Sequence, residues 1–176
     1  IEIVRPSYPL MLDVSNRLCV IVGGGEVAAR KAQGLIDAGA TCVRVVAPKI
    51  KAEFPPQVEI IQSRFEERHL DCAGLVFAST DDPAVNDLVV SFARQRNILV
   101  NRSDQDDESA SDFLTPAKLT KGDVTLCLSA VSPALAVYIR GEIEKLWNPD
   151  WTAMSSAIAQ LRPEIINSCL LYTSPS

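Results

Sequence analysis

A glycine-rich turn between a predicted strand and a predicted helix is the part of the sequence best suited to bind a ligand. Residues 18–32 read LCVIVGGGEVAARKA, with the spacing Gly23-x-Gly25-x-x-Ala28, a variant of the dinucleotide-binding fingerprint. In that fingerprint one glycine permits a tight turn, the next lets backbone approach a pyrophosphate, and the small third residue lets helix pack on strand. The free N–H groups at the helix amino end suit a phosphate. The alternative is a glycine-rich turn that binds nothing.

The ribose-binding part of this fingerprint is missing. A carboxylate about 20 residues further on, at the end of the second strand, ordinarily accepts hydrogen bonds from the ribose hydroxyls. Here that strand ends Val45-Val46-Ala47-Pro48, with no acid, and Lys49 follows. A lysine here favours a 2′-phosphate, so the spacing alone leaves both NAD and NADP open.

The elements that must position the turn alternate between strands and helices. Short β-rich runs occur at RLCVIVG, TCVRVVAP, VEIIQSRF, GLVFAST and ILVNRSD, and helical patterns occur at EVAARKAQGLIDAGA and DDPAVNDLVVSFARQRN. We expect Val27, Leu35 and Ile36 to form the apolar face of the first helix, and Asp81 or Asp82 to cap the second. This alternation predicts an α/β fold, a Rossmann-type parallel sheet with helices on both faces.

The pattern changes after the acidic segment QDDESAS. Two short strands surround the turn TKGD, a helix begins near Ser132–Pro133, and another begins after Pro149. We therefore predict a Rossmann domain at 1–112, a small α+β dimerisation domain at 113–148 and a truncated helical segment at 149–176. The final residues, SCLLYTSPS, show no periodicity and are interpreted as disordered or not native to the protein.

The small domain has too little apolar sequence to form a core of its own. We therefore predict a homodimer formed through this region. Four apolar residues at helical spacing are expected to lie on the contact face: Leu135, Ile139, Ile143 and Leu146.

Composition narrows the class of protein. The chain has 176 residues, a formal net charge of -5 and no apolar run long enough to span a membrane, so neither nucleic acid nor a membrane is expected as a partner. It also shows no leading signal segment.

The five cysteines are widely spaced, which favours buried free thiols in a reducing cytoplasm. The single histidine, His69, lies in a polar stretch and is interpreted as a surface residue, so no resident metal is expected.

A longer pattern carries a family resemblance. The sequence YPLMLDVSNRLCVIVGGGEVAARKAQGLIDAGATCVRVVAP, followed by VFASTDDPAVN, ILVNRSD and SPALAVYIRGEIEKLW, resembles the amino-terminal domain of siroheme synthase. This is the precorrin-2 dehydrogenase and sirohydrochlorin ferrochelatase family. The resemblance implies siroheme biosynthesis with NAD as cofactor and the tetrapyrrole precorrin-2 as substrate. Bifunctional members also insert ferrous iron as a second substrate, and the sequence leaves that activity open.

The resemblance also implies roles for particular residues. Asp104 matches the aspartate of the family's Asn-x-x-Asp and is the expected acid/base. Arg102, Ser129 and Lys118 are candidates for contacting the substrate. The cofactor-binding residues carried over are Gly23, Gly24, Gly25, Glu26, Val27, Ala47, Pro48, Thr80 and Asp81.

Departures from the family pattern keep other functions open. The segment LSAVSP is shorter than the family's turn and lacks its glycine, while the loop after Asp104 is longer and acidic. No methyltransferase domain follows, so methylation of uroporphyrinogen is not expected. A catalytically impaired nucleotide- or tetrapyrrole-binding module is therefore the alternative to an enzyme. A ligand-gating Rossmann domain is a third interpretation, which needs neither Asp104 nor the hairpin and helix after it.

Overall fold

The computed structural model describes residues 7–103, 111–130 and 132–167, apart from the side chains of Ile165 and Asn167. The predicted catalytic Asp104, residues 105–110 of the acidic segment that follows it and the final residues 168–176 lie outside this described part. The chain divides into two compact units between Leu114 and Thr115.

The first unit is a parallel five-stranded sheet with two helices. The strands are β1 (Leu18–Val22), β2 (Cys42–Val46), β3 (Glu59–Ile61), β4 (Ala73–Ala78) and β5 (Leu99–Arg102). The helices are α1 (Glu26–Asp37) and α2 (Pro83–Gln95), with a short 3-10 helix at Glu67–Leu70. The strand order is β3-β2-β1-β4-β5, and every neighbouring pair is parallel. The predicted α/β fold with a Rossmann-type sheet is therefore confirmed.

Side chains from β1 contribute to two separate apolar clusters, because successive residues of a strand point to opposite faces. Cys19 and Ile21 belong to a cluster that includes the buried residues of α1. Val20 and Val22 belong to a second cluster with the buried residues of α2. Both faces of the sheet are thus covered, which explains why β1 reads as an unbroken apolar run.

Small side chains dominate the buried face of α1, which corrects part of our expectation. Ala28, Ala29 and Ala32 are buried together with Leu35, whereas Val27 is 36% exposed. Alanines allow the helix axis to approach the sheet closely, so the contact depends on small size rather than on a stripe of large residues. In α2 the prediction of the cap is confirmed, since Asp82 accepts a hydrogen bond from the Ala84 amide at 2.9 Å.

His69 is not the surface residue that its polar neighbours suggested. Its side chain is buried, and Nδ1 accepts a hydrogen bond from the Glu66 amide at 2.9 Å. The ring also lies 6.2 Å from the ring of Phe65, centroid to centroid. His69 therefore closes the amino end of the 3-10 helix, a structural task that the sequence pattern did not reveal.

The expectation of uniformly buried thiols is also wrong. Among the described cysteines only Cys19 is buried, while Cys42, Cys72 and Cys127 are exposed. An apolar flanking sequence did not ensure burial. Cys42 is the first residue of a strand, and Cys127 lies on a hairpin strand in which no side chain is fully buried. All four of these cysteines are free thiols.

The second unit contains an antiparallel hairpin and two helices. The hairpin is β6 (Ala117–Lys121) with β7 (Val124–Leu128), and the helices are α3 (Pro133–Lys145) and α4 (Pro149–Asn167). The sequence had located these strands and the start of α3. Of the described hydrophobic residues in this unit, only Leu119 and Ala136 are buried. Within the described residues, no helix combines the length and apolar character needed to span a bilayer.

Candidate dinucleotide-binding site

A cleft of about 860 Å³ opens where the carboxyl ends of the parallel strands meet. In open α/β sheets this edge is where ligands bind. The cleft is lined by all nine residues predicted to contact the cofactor: Gly23, Gly24, Gly25, Glu26, Val27, Ala47, Pro48, Thr80 and Asp81. The structure therefore brings together segments that are up to about 60 residues apart in sequence.

Two of the three glycines are required by close packing of the backbone. A Cβ at Gly23 would lie 2.3 Å from the Ser79 carbonyl oxygen, and a Cβ at Gly24 would lie 2.2 Å from the Lys49 carbonyl oxygen. Gly23 also has a φ of +142°, which L side chains rarely adopt. The turn thus fits between β2 and β4 only without side chains.

The third glycine faces open space. Gly25 is the N-cap residue of α1, with an extended conformation (φ -101°, ψ -174°), and nothing lies within 4 Å of a Cβ built on it. The amides of Glu26 and Val27, in the first turn of α1, have no acceptor within the helix. Both residues line the cleft, so these donors suit a pyrophosphate.

A buried asparagine fixes the segment that follows β4. Asn86 Oδ1 accepts hydrogen bonds from the Thr80 amide at 3.1 Å and the Thr80 hydroxyl at 2.8 Å. Its Nδ2 donates to the Thr80 carbonyl oxygen at 3.0 Å, and the residue is fully buried. Sequence analysis missed Asn86, although a polar amide on the apolar side of α2 was a visible signal.

Basic and hydroxyl side chains also line the cleft, and the sequence had not indicated most of them. Lys51 Nζ lies 3.2 Å from Asp81 Oδ2, and this hydrogen bond lowers the pKa of the Asp81 carboxyl. Both partners are largely exposed, so the pair contributes little to stability. Ser79 and Ser103, which follow β4 and β5, are hydrogen-bonded through their hydroxyls at 3.1 Å. Arg64 and Phe65 complete the side near β3.

Arg102 requires a correction. Its side chain is only 4% exposed and forms an ion pair with Asp87 of α2. The guanidinium also donates to the Pro83 carbonyl oxygen at 3.4 Å, and Arg102 does not line the cleft. A buried, paired guanidinium is not free to bind a substrate carboxylate, so we assign it to holding β5 against α2.

The remaining substrate candidates lie in the second unit. Lys118 is exposed on β6, and Ser129 is exposed just after β7. Both are accessible to a ligand. Asp104 lies outside the described residues, but its neighbour Ser103 lines the cleft.

Comparisons with known proteins agree with this geometry. The family model NAD_binding_7, described as "Putative NAD(P)-binding", matches residues 10–117. The siroheme synthase of Photobacterium profundum is 34% identical over 173 residues, covering 94% of this chain and 36% of that protein. The siroheme synthase of Nitrosomonas eutropha is 36% identical over 166 residues, covering 90% of this chain and 34% of that protein. The chain thus spans about a third of the length of these relatives.

A solved structure is similar as well. The protein described as SirC, precorrin-2 dehydrogenase, superposes with a TM-score of 0.72 at 26% identity, covering 96% of this chain and 83% of that one. The resemblance found in the sequence and the expectation of an NAD-type cofactor are therefore confirmed.

Proposed function

Because the chain belongs to the NAD(P)-binding family whose model matches residues 10–117, we propose that it oxidises precorrin-2 to sirohydrochlorin with NAD. This is a step of siroheme biosynthesis, and it makes the chain an oxidoreductase. The proposal draws on the similarity to SirC, a precorrin-2 dehydrogenase, and to the siroheme synthases.

The observation that carries the proposal is the glycine turn inside the cleft. Gly23 and Gly24 leave room where a Cβ would collide with neighbouring backbone, and this bare turn leads into the amino end of α1. The residues present therefore fit a dinucleotide pyrophosphate, which the amides of Glu26 and Val27 would hold. When bound, NAD supplies the hydride acceptor.

Asp104 is proposed as the proton acceptor. Loss of hydride from the substrate must be accompanied by loss of a proton, and a carboxylate near the nicotinamide can accept it. Asp104 follows β5 by two residues, and Ser103 beside it lines the cleft. The carboxyl end of β5 therefore leads toward the place where the reaction would occur.

Substitution of Asp104 tests this role. Asp104→Asn keeps the shape of the side chain and removes its basicity, so turnover of precorrin-2 should fall by about 10²- to 10⁴-fold. NAD binding should persist, since the glycine turn is unchanged. Asp106→Ala, in the same acidic loop, is the matched control and should retain most turnover. Normal turnover in Asp104→Asn would require a different acid/base, and wild-type protein that binds NAD without turnover would favour the non-catalytic module.

Insertion of ferrous iron is a second candidate activity. The same aspartate is proposed to accept protons from pyrrole nitrogens, so one residue serves both steps. Supplying sirohydrochlorin and ferrous iron without NAD separates the activities. Formation of siroheme would identify a bifunctional enzyme, whereas its absence in protein that oxidises precorrin-2 would identify a dehydrogenase alone.

The second unit is proposed to form a homodimer. Its helix α3 exposes Leu135 at 47% and Tyr138 at 65%, and Leu146, which follows the helix, is 78% exposed. Ile139 and Ile143 of the predicted contact face are half-buried. Light scattering at micromolar concentration should give twice the mass of the chain, and a monomer would contradict the proposal. Lys118 and Ser129 remain proposed substrate contacts, and the cytoplasm remains the predicted location.

A further inference from the structure

We propose that the paired hydroxyls of Ser79 and Ser103 select the amide group of the nicotinamide ring by accepting hydrogen bonds from its N–H groups. The inference rests on the proposed NAD-dependent function and adds to it two residues that determine specificity for the reacting half of the cofactor. Neither serine belongs to the glycine turn or to the nine residues predicted to contact the cofactor. The inference can therefore fail while NAD binding holds.

The two serines lie on the half of the cleft away from the end of β2. Ser79 follows β4 and Ser103 follows β5, and both line the cleft. A dinucleotide binds across the crevice where the strand order reverses, with its adenosine ribose near the end of the second strand. In this sheet the order reverses between β1 and β4. The nicotinamide half is therefore expected over the ends of β4 and β5.

Backbone hydrogen bonds hold both serines in place. The Ser79 amide donates to the Val22 carbonyl oxygen at 2.8 Å, and the Ser103 amide donates to the Ala78 carbonyl oxygen at 2.9 Å. These bonds continue the parallel ladder beyond the ends of the strands. Both serines are half-buried, and their hydroxyl oxygens lie 3.1 Å apart. The two oxygens therefore have defined positions in the wall of the cleft.

The direction of the hydrogen bonds makes this pair an acceptor. Asn101 Nδ2 donates to the Phe113 carbonyl oxygen at 2.9 Å, so Asn101 Oδ1 is the atom that accepts from the Ser103 hydroxyl, at 3.4 Å. Ser103 Oγ accepts in turn from the Ser79 hydroxyl. Each hydroxyl has a single hydrogen, and both hydrogens are used in this chain of bonds. The lone pairs that remain on the two oxygens can only accept.

An acceptor at this place suits the amide of the nicotinamide ring. The amide carries two N–H donors, whereas a methyl ketone or a carboxylate on the same ring carbon carries none. A site built to pair with a donor discriminates against an analogue that lacks it, because the polar groups of the site then stay unpaired. The neighbouring Thr80 does not compete for this amide, since its hydroxyl donates to Asn86 Oδ1 at 2.8 Å.

Titration calorimetry on the whole chain without substrate tests the selection. Wild-type protein should bind NAD at least about fivefold more tightly than 3-acetylpyridine adenine dinucleotide, in which a methyl ketone replaces the amide. Nicotinic acid adenine dinucleotide should bind more weakly still, because its carboxylate would face acceptor oxygens.

The double substitution Ser79→Ala with Ser103→Ala should weaken NAD binding by about tenfold and reduce the preference over the acetylpyridine analogue to less than about twofold. ADP-ribose lacks the ring, so its Kd should differ by less than about twofold between the double variant and wild type. Ser91→Ala is the matched control, because it removes an exposed hydroxyl of α2 outside the cleft, and it should change none of these values.

Wild-type protein that oxidises precorrin-2 with NAD but binds the acetylpyridine analogue equally tightly would overturn this inference and leave the proposed function intact. Equal weakening of NAD and ADP-ribose in the double variant would assign the serines to the ribose or to the shape of the cleft, and would also overturn it. If folded wild-type protein bound neither NAD nor ADP-ribose, the proposed function would fail, and this inference with it.

Discussion

Replacing Gly25 with aspartate should separate cofactor binding from folding. A Cβ at Gly25 meets no atom within 4 Å, and the residue has a conformation open to any L amino acid. Aspartate is also a better N-cap than glycine, by a few tenths of a kcal/mol. We therefore expect the free energy of unfolding of Gly25→Asp to stay within about 0.5 kcal/mol of wild type.

The same substitution adds a negative charge where the pyrophosphate is proposed to bind. For a carboxylate about 5 Å from a phosphate charge, with an effective dielectric constant between about 20 and 80, Coulomb repulsion is about 1–3 kcal/mol. The Kd for NAD should therefore rise roughly five- to 150-fold. Substitutions of Gly23 or Gly24 are less informative, because the added Cβ would collide with backbone and disturb the fold.

Calorimetric titration with NAD measures the effect on cofactor affinity. Urea unfolding measures the effect on the free energy of unfolding. Gly34→Asp is the matched control, since this glycine also faces open space and lies on α1 about 13 Å further along its axis. It adds the same negative charge, but at a distance from the glycine turn that exceeds the Debye screening length at physiological salt. A folded Gly25→Asp protein with unchanged NAD affinity would refute the assignment of the pyrophosphate to this turn.

Further predictions concern three buried residues. Burial raises the pKa of the Cys19 thiol to about 11, from 9.0, so mass spectrometry after thiol labelling at pH 8 should find Cys42 modified and Cys19 protected. The unfolded chain releases the Cys19 proton at lower pH than the folded chain. The free energy of unfolding should therefore fall as the pH rises from 9 to 11, and it should fall less in the Cys19→Ala variant. His69→Ala removes the acceptor for the Glu66 amide and leaves a cavity. The free energy of unfolding, measured by urea titration, should therefore fall by about 2–4 kcal/mol. A change below about 0.5 kcal/mol would contradict the structural role of His69. Arg102→Met should leave the Kd for NAD unchanged while altering stability, whereas a large change in that Kd would place Arg102 in the cofactor site.

Local patterns were sufficient to predict most of the fold. The apolar run of β1, the glycines after it and the Asp82–Pro83 start of α2 each depend on neighbours in sequence, so periodicity and capping rules located them. The same pattern and the family resemblance also selected the nine residues predicted to contact the cofactor, all of which line one cleft. The strand order also brings Arg64 into the cleft, but this depends on the pairing of β3 with β2, which the sequence does not specify.

The errors arose where distant contacts decide the environment. His69 is buried by its contact with Phe65, and Phe65 packs in turn against Phe92 of α2. Arg102 is buried because Asp87, on helix α2, provides its counter-charge. Neither partner could be recognised from the flanking residues, since tertiary packing and not local polarity sets the burial of each group.

The hydrogen bonds at the glycine turn have a consequence for its motion. The Gly23 amide donates to the Val46 carbonyl oxygen at 3.0 Å, and the Ser79 amide donates to the Val22 carbonyl oxygen at 2.8 Å. These bonds extend the sheet ladder on both sides of β1 to the edge of the cleft. Exchange of the Gly23 amide proton with solvent therefore requires the centre of the sheet to open, and should be as slow as exchange from β1 itself even without cofactor. A turn held in this way loses little conformational entropy when it binds a ligand, so its binding energy is not spent on ordering the loop.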